Sequence, residues 1–253
     1  MPSFKQTIVG SSGFVGTTLA TQTIFDGTFT RANVSDLEHA HSELLLCAAA
    51  PAQKWIANRD PDADLRNIRD LATHLRKTSA NRAVLISTVD VFGDPVAVDE
   101  ESMPDAGQAS PYGKNRLWLE EFFSSTFPSS CIIRLPALVG PGLRKNAIFD
   151  LKHGNQVNAL NTASKFQFYP TKHLWGDIQV ALNNSINLIH LTAEPLSLGR
   201  VSSHLGVSGL STNEIDAVAY DFRTRFSSIW GSRNDYQYSA EASLNAISDY
   251  VKS

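Results

Sequence analysis

The stretch Thr7-Ile8-Val9-Gly10-Ser11-Ser12-Gly13-Phe14-Val15-Gly16 decides how this chain folds. Thr7-Ile8-Val9 is a short β-branched run suited to a strand, and it stops at Gly10. Phe14 to Thr21 suits a helix. Between them the glycines are spaced GxxGxxG. Gly10 permits a tight turn, Gly13 lets backbone approach a pyrophosphate at the helix N-terminus, and Gly16 lets helix and strand pack closely. Such glycines also occur in ordinary turns. Their position between a first strand and a first helix favours dinucleotide binding.

Outward from this loop, short apolar runs alternate with helical spacing. Thr28-Phe29-Thr30 reads as a second short strand, and Glu43 to Ala50 holds the unbroken run Leu44-Leu45-Leu46-Cys47. Asp64 to Arg76 carries a helical stripe of Leu65, Ile68, Leu71, Ala72 and Leu75. Ala83-Val84-Leu85-Ile86 is again unbroken, Pro111 to Phe123 reads as helix, and Cys131 to Leu135 as strand. Doubly buried strands between amphipathic helices predict an α/β fold, a Rossmann-type doubly wound parallel sheet with a small C-terminal lobe. Residues 1–140 are expected to form the dinucleotide-binding domain. Residues 141–253 are expected to complete the sheet and form a small substrate lobe over its carboxyl edge. In that second part the spacing predicts helices over Trp175–Ser185, Asn213–Trp230 and Ala240–Lys252, and a strand over Leu188–Thr192.

The 253 residues suit one α/β unit with an appended lobe, and 42% apolar against 19% charged residues is enough for a sizeable core. A net charge of −3 gives no basic excess for nucleic acid or an anionic membrane. Two cysteines, Cys47 and Cys131, both in apolar runs, make no disulfide framework and no zinc pattern. His39 and His41 do not form a helical metal pair, so no metal is expected. The longest apolar stretch, Leu44 to Ala52, is about half the ~18–20 residues a membrane span needs. With no hydrophobic signal core near the N-terminus, the expected location is the cytoplasm.

Three further segments carry chemistry. Ser87-Thr88-Val89-Asp90-Val91-Phe92-Gly93 ends a buried strand with hydroxyls. Ser110-Pro111-Tyr112-Gly113-Lys114-Asn115-Arg116 opens a helix, with Ser110 at the N-cap and Tyr112 and Arg116 one turn apart on one face. Arg134-Leu135-Pro136 ends a strand and runs into Val139-Gly140-Pro141-Gly142.

In these four ordered motifs the chain resembles the extended short-chain dehydrogenase/reductase superfamily, of the NAD-dependent epimerase/dehydratase type. The family's glycine loop falls on Gly10, Gly13 and Gly16, and its Ser-Ser/Thr-x-x-Val-Tyr-Gly strand end on Ser87 to Gly93. Its Ser-Pro-Tyr-x-x-x-Lys falls on Ser110-Pro111-Tyr112 with Arg116, and its Arg-x-x-x-Val-Tyr-Gly-Pro-Gly on Arg134 and Val139 to Gly142. A helical Asn of the family matches Asn67 less closely. The resemblance implies an NAD(P)-dependent epimerase, dehydratase or reductase acting on a sugar or nucleotide-sugar. From charge and the length of the apolar runs, no nucleic-acid or membrane partner is expected, and a homodimer stays open. Tyr112 would be the base or acid, Arg116 its electrostatic partner, Thr88 the holder of the substrate oxygen and Asp90 an extra acid or base. Gly10, Ser12, Gly13, Phe14, Val15, Gly16, Arg31, Ala48, Ala49, Ser87, Tyr112, Arg116 and Pro136 would line the cofactor. A cofactor-binding regulator without turnover is the rival reading.

Physical chemistry supports the same roles. A phenol acts as base near neutrality only if its pKa falls from about 10 toward 7, roughly 4 kcal/mol of stabilised phenolate. One cation ~5 Å away at an effective dielectric near 20 supplies about 3 kcal/mol, and an oxidised nicotinamide ring a similar amount. Two departures stand out. The family's lysine is Arg116, since Lys114 at i+2 faces away. No acid stands about 20 residues after the first glycine, where a ribose-binding carboxylate is expected. Arg31 stands there instead, which favours NADP over NAD. Trp55, Trp118 and Trp230 are read as packing residues rather than stacking platforms, and Phe166, Phe168, Tyr169 and Trp175 as core packing, with the lining of a sugar pocket as the alternative. Arg144 and Lys145 read equally as phosphate contacts or as a solvated face.

Overall fold

The computed structural model describes residues 2–213, 215 and 217–253. These form two compact units. Unit 1 comprises residues 1–93, 103–134 and 175–189, and unit 2 residues 94–102, 135–174 and 190–253. The units interleave, so a boundary at residue 140 does not divide them. The chain leaves unit 1 after Gly93 and again after Arg134, and returns to it each time.

Numbering the elements of unit 1 in chain order, the strands are β1 (Ser3–Val9), β2 (Gly27–Phe29), β3 (His41–Cys47), β4 (Ser79–Thr88), β5 (Ser130–Leu135) and β6 (Leu188–His190). The helices are α1 (Phe14–Gln22), α2 (Lys54–Arg59), α3 (Pro61–Leu75), α4 (Pro111–Thr126) and α5 (Leu174–Asn183). The six strands form one sheet in the order β6-β5-β4-β3-β1-β2. β1 runs parallel to β2 and β3, and β3 runs parallel to β4. This is a doubly wound arrangement of the Rossmann type. After β2 the chain crosses back over β1 to place β3 on its other side, so the loops that follow β1 and β3 diverge at a topological switch point, the usual position for a ligand in such sheets.

The unbroken apolar runs fill the core because each is covered on both faces. Ile8, Leu45, Leu46 and Leu85 are at most 1% exposed, and each such side chain contributes about 1.5–3 kcal/mol by burial. Helix α3 begins at Pro61, with Asp60 as N-cap accepting the Ala63 N–H at 3.0 Å. Its buried stripe is Asp64, Ile68, Leu71, Ala72 and Leu75. A carboxylate thus stands where the sequence pattern placed Leu65, which is half-buried. Helix α4 begins as its sequence predicts, with Ser110 accepting the Gly113 N–H at 3.3 Å and Pro111 in the first turn.

Among its described residues, unit 2 holds three short strand pairs. Val96–Val98 pairs with Asp221–Phe222, Ala137–Val139 with Phe168–Pro170, and Lys165–Phe166 with Leu196–Ser197. Its helices are Ala147–His153, Leu198–Leu205 and Ala240–Lys252. Phe168 and Tyr169 are fully buried, as packing residues should be. The helix expected over Asn213–Trp230 is not formed. Positions 214 and 216 lie outside the described residues. Of the rest, Asp221–Phe222 is strand and Ser227–Trp230 a 3-10 turn. Backbone bonds draw the segment into extended pairing, with the Lys165 N–H donating to the Val218 carbonyl and the Tyr220 N–H to the Lys165 carbonyl. The strand expected over Leu188–Thr192 stops at His190.

Candidate functional site

The glycine loop closes over the end of β1. Gly10 has φ +92°, a left-handed conformation that side chains disfavour, and a Cβ there would overlap the Ala48 backbone at the end of β3. A Cβ on Gly16 would overlap the Gly10 carbonyl oxygen. Gly13 differs from both. A Cβ there meets nothing closer than 3.4 Å, and the residue is exposed. Gly13 is also the N-cap of α1, whose first turn has no side-chain cap and no acidic residue. The leading N–H groups of α1 and its positive dipole end are therefore not taken up by the protein's own carboxylates. Beside them, Ser12 is exposed, Phe14 and Val15 are half-buried, and Ala48 and Ala49 are half-buried on the β3 side. A cradle with tight glycine turns, an open Gly13 and an uncapped helix start fits the pyrophosphate of a dinucleotide.

Arg31 lies just past β2. Its Nη2 donates to Asn67 Oδ1 of α3 at 2.8 Å. The two residues share a cleft of about 340 Å³ with Pro51, Ile56, Arg59 and Asp64, among others.

At the end of β4, Thr88 caps the turn Val89–Val91. Its Oγ1 accepts the Asp90 N–H at 3.2 Å and donates to Asp90 Oδ2 at 3.4 Å. Lys54 Nζ of α2 lies 2.6 Å from Asp90 Oδ1. Helix α4 packs directly on this turn, since a Cβ on Gly113 would overlap the Asp90 carbonyl oxygen. That contact brings Tyr112 beside Asp90. The Tyr112 N–H donates to Asn58 Oδ1 at 2.9 Å. Thr88, Asp90 and Tyr112 are thus gathered in one place.

Arg116 is held in a different way from that expected of a free cation. It is 2% exposed, and its guanidinium forms a two-pronged pair with Asp64, Nη1 to Oδ2 at 2.8 Å and Nη2 to Oδ1 at 3.0 Å. Nη2 also donates to the Pro51 carbonyl, and Asn115 Nδ2 donates to Asp64 Oδ2 at 2.9 Å. The guanidinium carbon lies 4.2 Å from the Tyr112 ring centroid. Among the described residues, Arg116 Nε is buried without a hydrogen-bond partner. The phenol of Tyr112 is held above its ordinary range. Burial is the main cause, and it is opposed by Arg116 and reinforced by Asp90 and Asp64. Arg116 therefore does not by itself bring the phenol toward neutrality, because burial outweighs it.

Ser87 donates to Glu120 Oε1 of α4, and Glu120 is paired in turn with Arg134 at 2.7 Å. The Arg134 guanidinium lies 5.1 Å from the Phe92 ring centroid. The hydroxyl of Ser87 is therefore committed to a buried ion pair. Pro136, also buried, belongs to unit 2.

Lys54, Asn58, Asp64 and Glu120 are site neighbours that sequence reasoning did not single out. Their signal lay in the buried acidic position of α3 and in the α2 segment between Pro51 and Pro61. Trp55 of α2, read as a packing residue, is 63% exposed, with the Arg59 guanidinium 5.4 Å from its ring centroid. Trp118 does pack, stacked on Phe122. No group of metal-ligating side chains occurs among the described residues, and no described helix is long and apolar enough to cross a membrane.

No protein-family model matches the sequence, and no curated protein sequence does. Solved structures match closely in shape. One is MoeE5 in complex with UDP-glucuronic acid and NAD, with TM-score 0.76 at 15% identity, covering 98% of this chain and 99% of that one. Another is a UDP-N-acetylglucosamine 4-epimerase from Methanobrevibacter ruminantium M1 in complex with UDP-N-acetylmuramic acid, with TM-score 0.75 at 13% identity, covering 100% and 98%. A third is a dTDP-4-dehydrorhamnose reductase from Yersinia enterocolitica, with TM-score 0.70 at 15% identity, covering 100% and 99%. The chain shares their fold over 98–100% of its length.

Proposed function

We propose that this protein is an NAD(P)-dependent enzyme of the extended short-chain dehydrogenase/reductase type that acts on a sugar or nucleotide-sugar. The observation that carries this reading is the joint placement of two features of unit 1. An uncapped helix start with an open Gly13 follows β1, and Thr88, Asp90 and Tyr112 meet where α4 packs on the end of β4. The solved structures of like fold support it, one of them holding UDP-glucuronic acid and NAD.

Gly10, Gly13 and Gly16 form the phosphate turn, with Ser12, Phe14, Val15, Ala48 and Ala49 around it. Arg31 reaches the adenosine end, where a guanidinium suits a 2′-phosphate and favours NADP. Ser87, next to the last residue of β4, completes the lining within unit 1. When bound, the dinucleotide supplies or accepts the hydride. Thr88 holds the substrate oxygen, Tyr112 transfers its proton, and Asp90 serves as a further acid or base. Arg116 fixes the Tyr112 ring. The protein works in the cytoplasm.

Binding of NAD and NADP, followed by a screen of nucleotide-sugars with product analysis, tests the reading. Dinucleotide binding together with turnover of a sugar is the expected result. Tight dinucleotide binding without turnover of any sugar favours a second reading, a cofactor-binding regulator. The closed Arg116–Asp64 pair gives that reading its footing, because it withholds the family's cation from the cofactor.

A further inference from the structure

We propose that Lys54 is a positioning residue for Asp90. It holds one oxygen of the carboxylate, so that the other stays turned toward Thr88 and the substrate oxygen that Thr88 receives. The inference rests on the functional reading above and deepens it, by adding to the same site a residue from outside the four sequence motifs.

Helix α2 is placed for this task rather than for the core. Of its six residues only Ala57 is buried, and Trp55 and Ile56 are exposed. Its far end is fixed by the next helix, since Asp60 caps α3 and Pro61 opens it. Lys54 and Asn58 stand four residues apart, on one face of a helical turn. Both reach the elements that carry the proposed chemistry. Lys54 Nζ lies 2.6 Å from Asp90 Oδ1 in the turn after β4, and Asn58 Oδ1 accepts the Tyr112 N–H at 2.9 Å at the start of α4. Two polar contacts thus join α2 to both halves of the group formed by Thr88, Asp90 and Tyr112.

The two contacts of the Asp90 carboxylate are unequal. Oδ2 meets Thr88 Oγ1 at 3.4 Å, near the limit of a hydrogen bond, whereas Oδ1 meets an ammonium at 2.6 Å. The short, charge-assisted contact therefore decides how the carboxylate turns about its side-chain bonds. With Oδ1 fixed, Oδ2 faces the Thr88 hydroxyl, where an acid or base acting on an oxygen held by Thr88 has to stand. The Lys54 and Asp90 side chains are 43% and 20% exposed, and an ion pair this open adds little to stability. Its use is to orient. Arg116 has both terminal nitrogens committed to Asp64 and the Pro51 carbonyl, so the orientation of Asp90 falls to Lys54.

The test assays the full chain on UDP-glucose, UDP-glucuronic acid and UDP-N-acetylglucosamine with NAD or NADP, and on dTDP-4-dehydrorhamnose with NADH or NADPH, with product analysis. Lys54→Met keeps the stem and removes the charge. It should lower kcat about ten- to a hundredfold, as misplacement of a reacting group does, while KM stays within about twofold of the parent's and Tm and dinucleotide affinity are unchanged. Lys54→Gln should behave alike, and Lys54→Arg, which can re-form the pair, should recover kcat to within about threefold. Asp90→Asn and the double variant Lys54→Met/Asp90→Asn should turn over within about twofold of each other, because Lys54 acts only through Asp90. Crystal structures of the parent and Lys54→Met read the orientation without any activity, and Asp90 Oδ2 should face Thr88 in the first and turn away in the second. Parental kcat in Lys54→Met or Asp90→Asn, a loss carried by KM alone, losses that multiply in the double variant, or an Asp90 carboxylate that keeps its orientation without Lys54 each overturns this inference and leaves the dinucleotide reading standing. A parent that binds no dinucleotide overturns both. Tight dinucleotide binding without turnover of any of these sugars overturns this inference in favour of the regulator.

Discussion

Arg31 Nη2 donates to Asn67 Oδ1 at 2.8 Å and so ties the segment after β2 to the middle of α3. Arg31 lines the cleft together with Arg59. Arg31→Ala should therefore weaken NADP more than NAD in parallel calorimetric titrations, by about 1.5–3 kcal/mol if a charge-assisted bond is lost. Equal losses for the two dinucleotides, or a parent that prefers NAD, would refute a 2′-phosphate contact.

Gly13 allows a cleaner test of the glycine loop than its neighbours. Side chains at Gly10 or Gly16 would collide with backbone, whereas a Cβ at Gly13 meets nothing closer than 3.4 Å. Gly13→Val should keep its melting temperature and lose at least about tenfold in dinucleotide affinity, about 1.4 kcal/mol. Undiminished affinity in the folded variant would remove the phosphate-binding role.

Tyr112→Phe keeps the ring under the Arg116 guanidinium and deletes only the oxygen. Stability should change little. Turnover of the identified substrate should fall by ~10²–10⁴. A phenylalanine variant with parental kcat would show that the ring merely packs.

The buried pair of Glu120 and Arg134 makes a prediction about stability alone. Both side chains are at most 7% exposed, with Nη2 and Oε2 2.7 Å apart. Glu120→Gln removes the carboxylate charge from this buried pair and should cost about 3–5 kcal/mol, lowering Tm by roughly 10 °C. A thermal melt within about two degrees of the parent would contradict this.

Asp26 accepts the backbone N–H groups of Lys5 at 2.9 Å and Gln6 at 2.7 Å, and these bonds hold its carboxyl below the ordinary range. A folded pKa below the unfolded one stabilises the fold above the unfolded value near ~4, and that stabilisation is lost as the pH falls through the lowered value. Denaturation curves of Asp26→Asn between about pH 5 and pH 2 should accordingly vary less with pH than those of the parent. Parallel curves would place the acid sensitivity elsewhere.

The parts of the fold that follow local rules were legible in the sequence. Leu44 to Cys47 and Ala83 to Ile86 read as buried strands because each needs only its own apolarity. The start of α4 was legible because Ser110-Pro111 is a complete capping signal. Asn213–Trp230 misled for a physical reason. Its apolar residues do not share one buried face, since Phe222 is fully buried while Ile215 is 91% exposed, and backbone pairing overrides helical propensity there. Helix α2 is too short for any period to show. The pairing of Arg116 with Asp64 joins residues far apart in the chain. Local pattern gives Asp64 only as one more polar residue at the start of a helix.

The last strand of the sheet has a consequence for synthesis. β5, buried along its whole length, takes as its outer neighbour β6, which begins at Leu188, after residues 136–187. On the ribosome an apolar strand with open backbone donors and acceptors must therefore wait while that intervening chain is made, and unpaired edges of this kind recruit other strands. Translation speed across residues 136–187 thus sets how long the nascent sheet is exposed to aggregation.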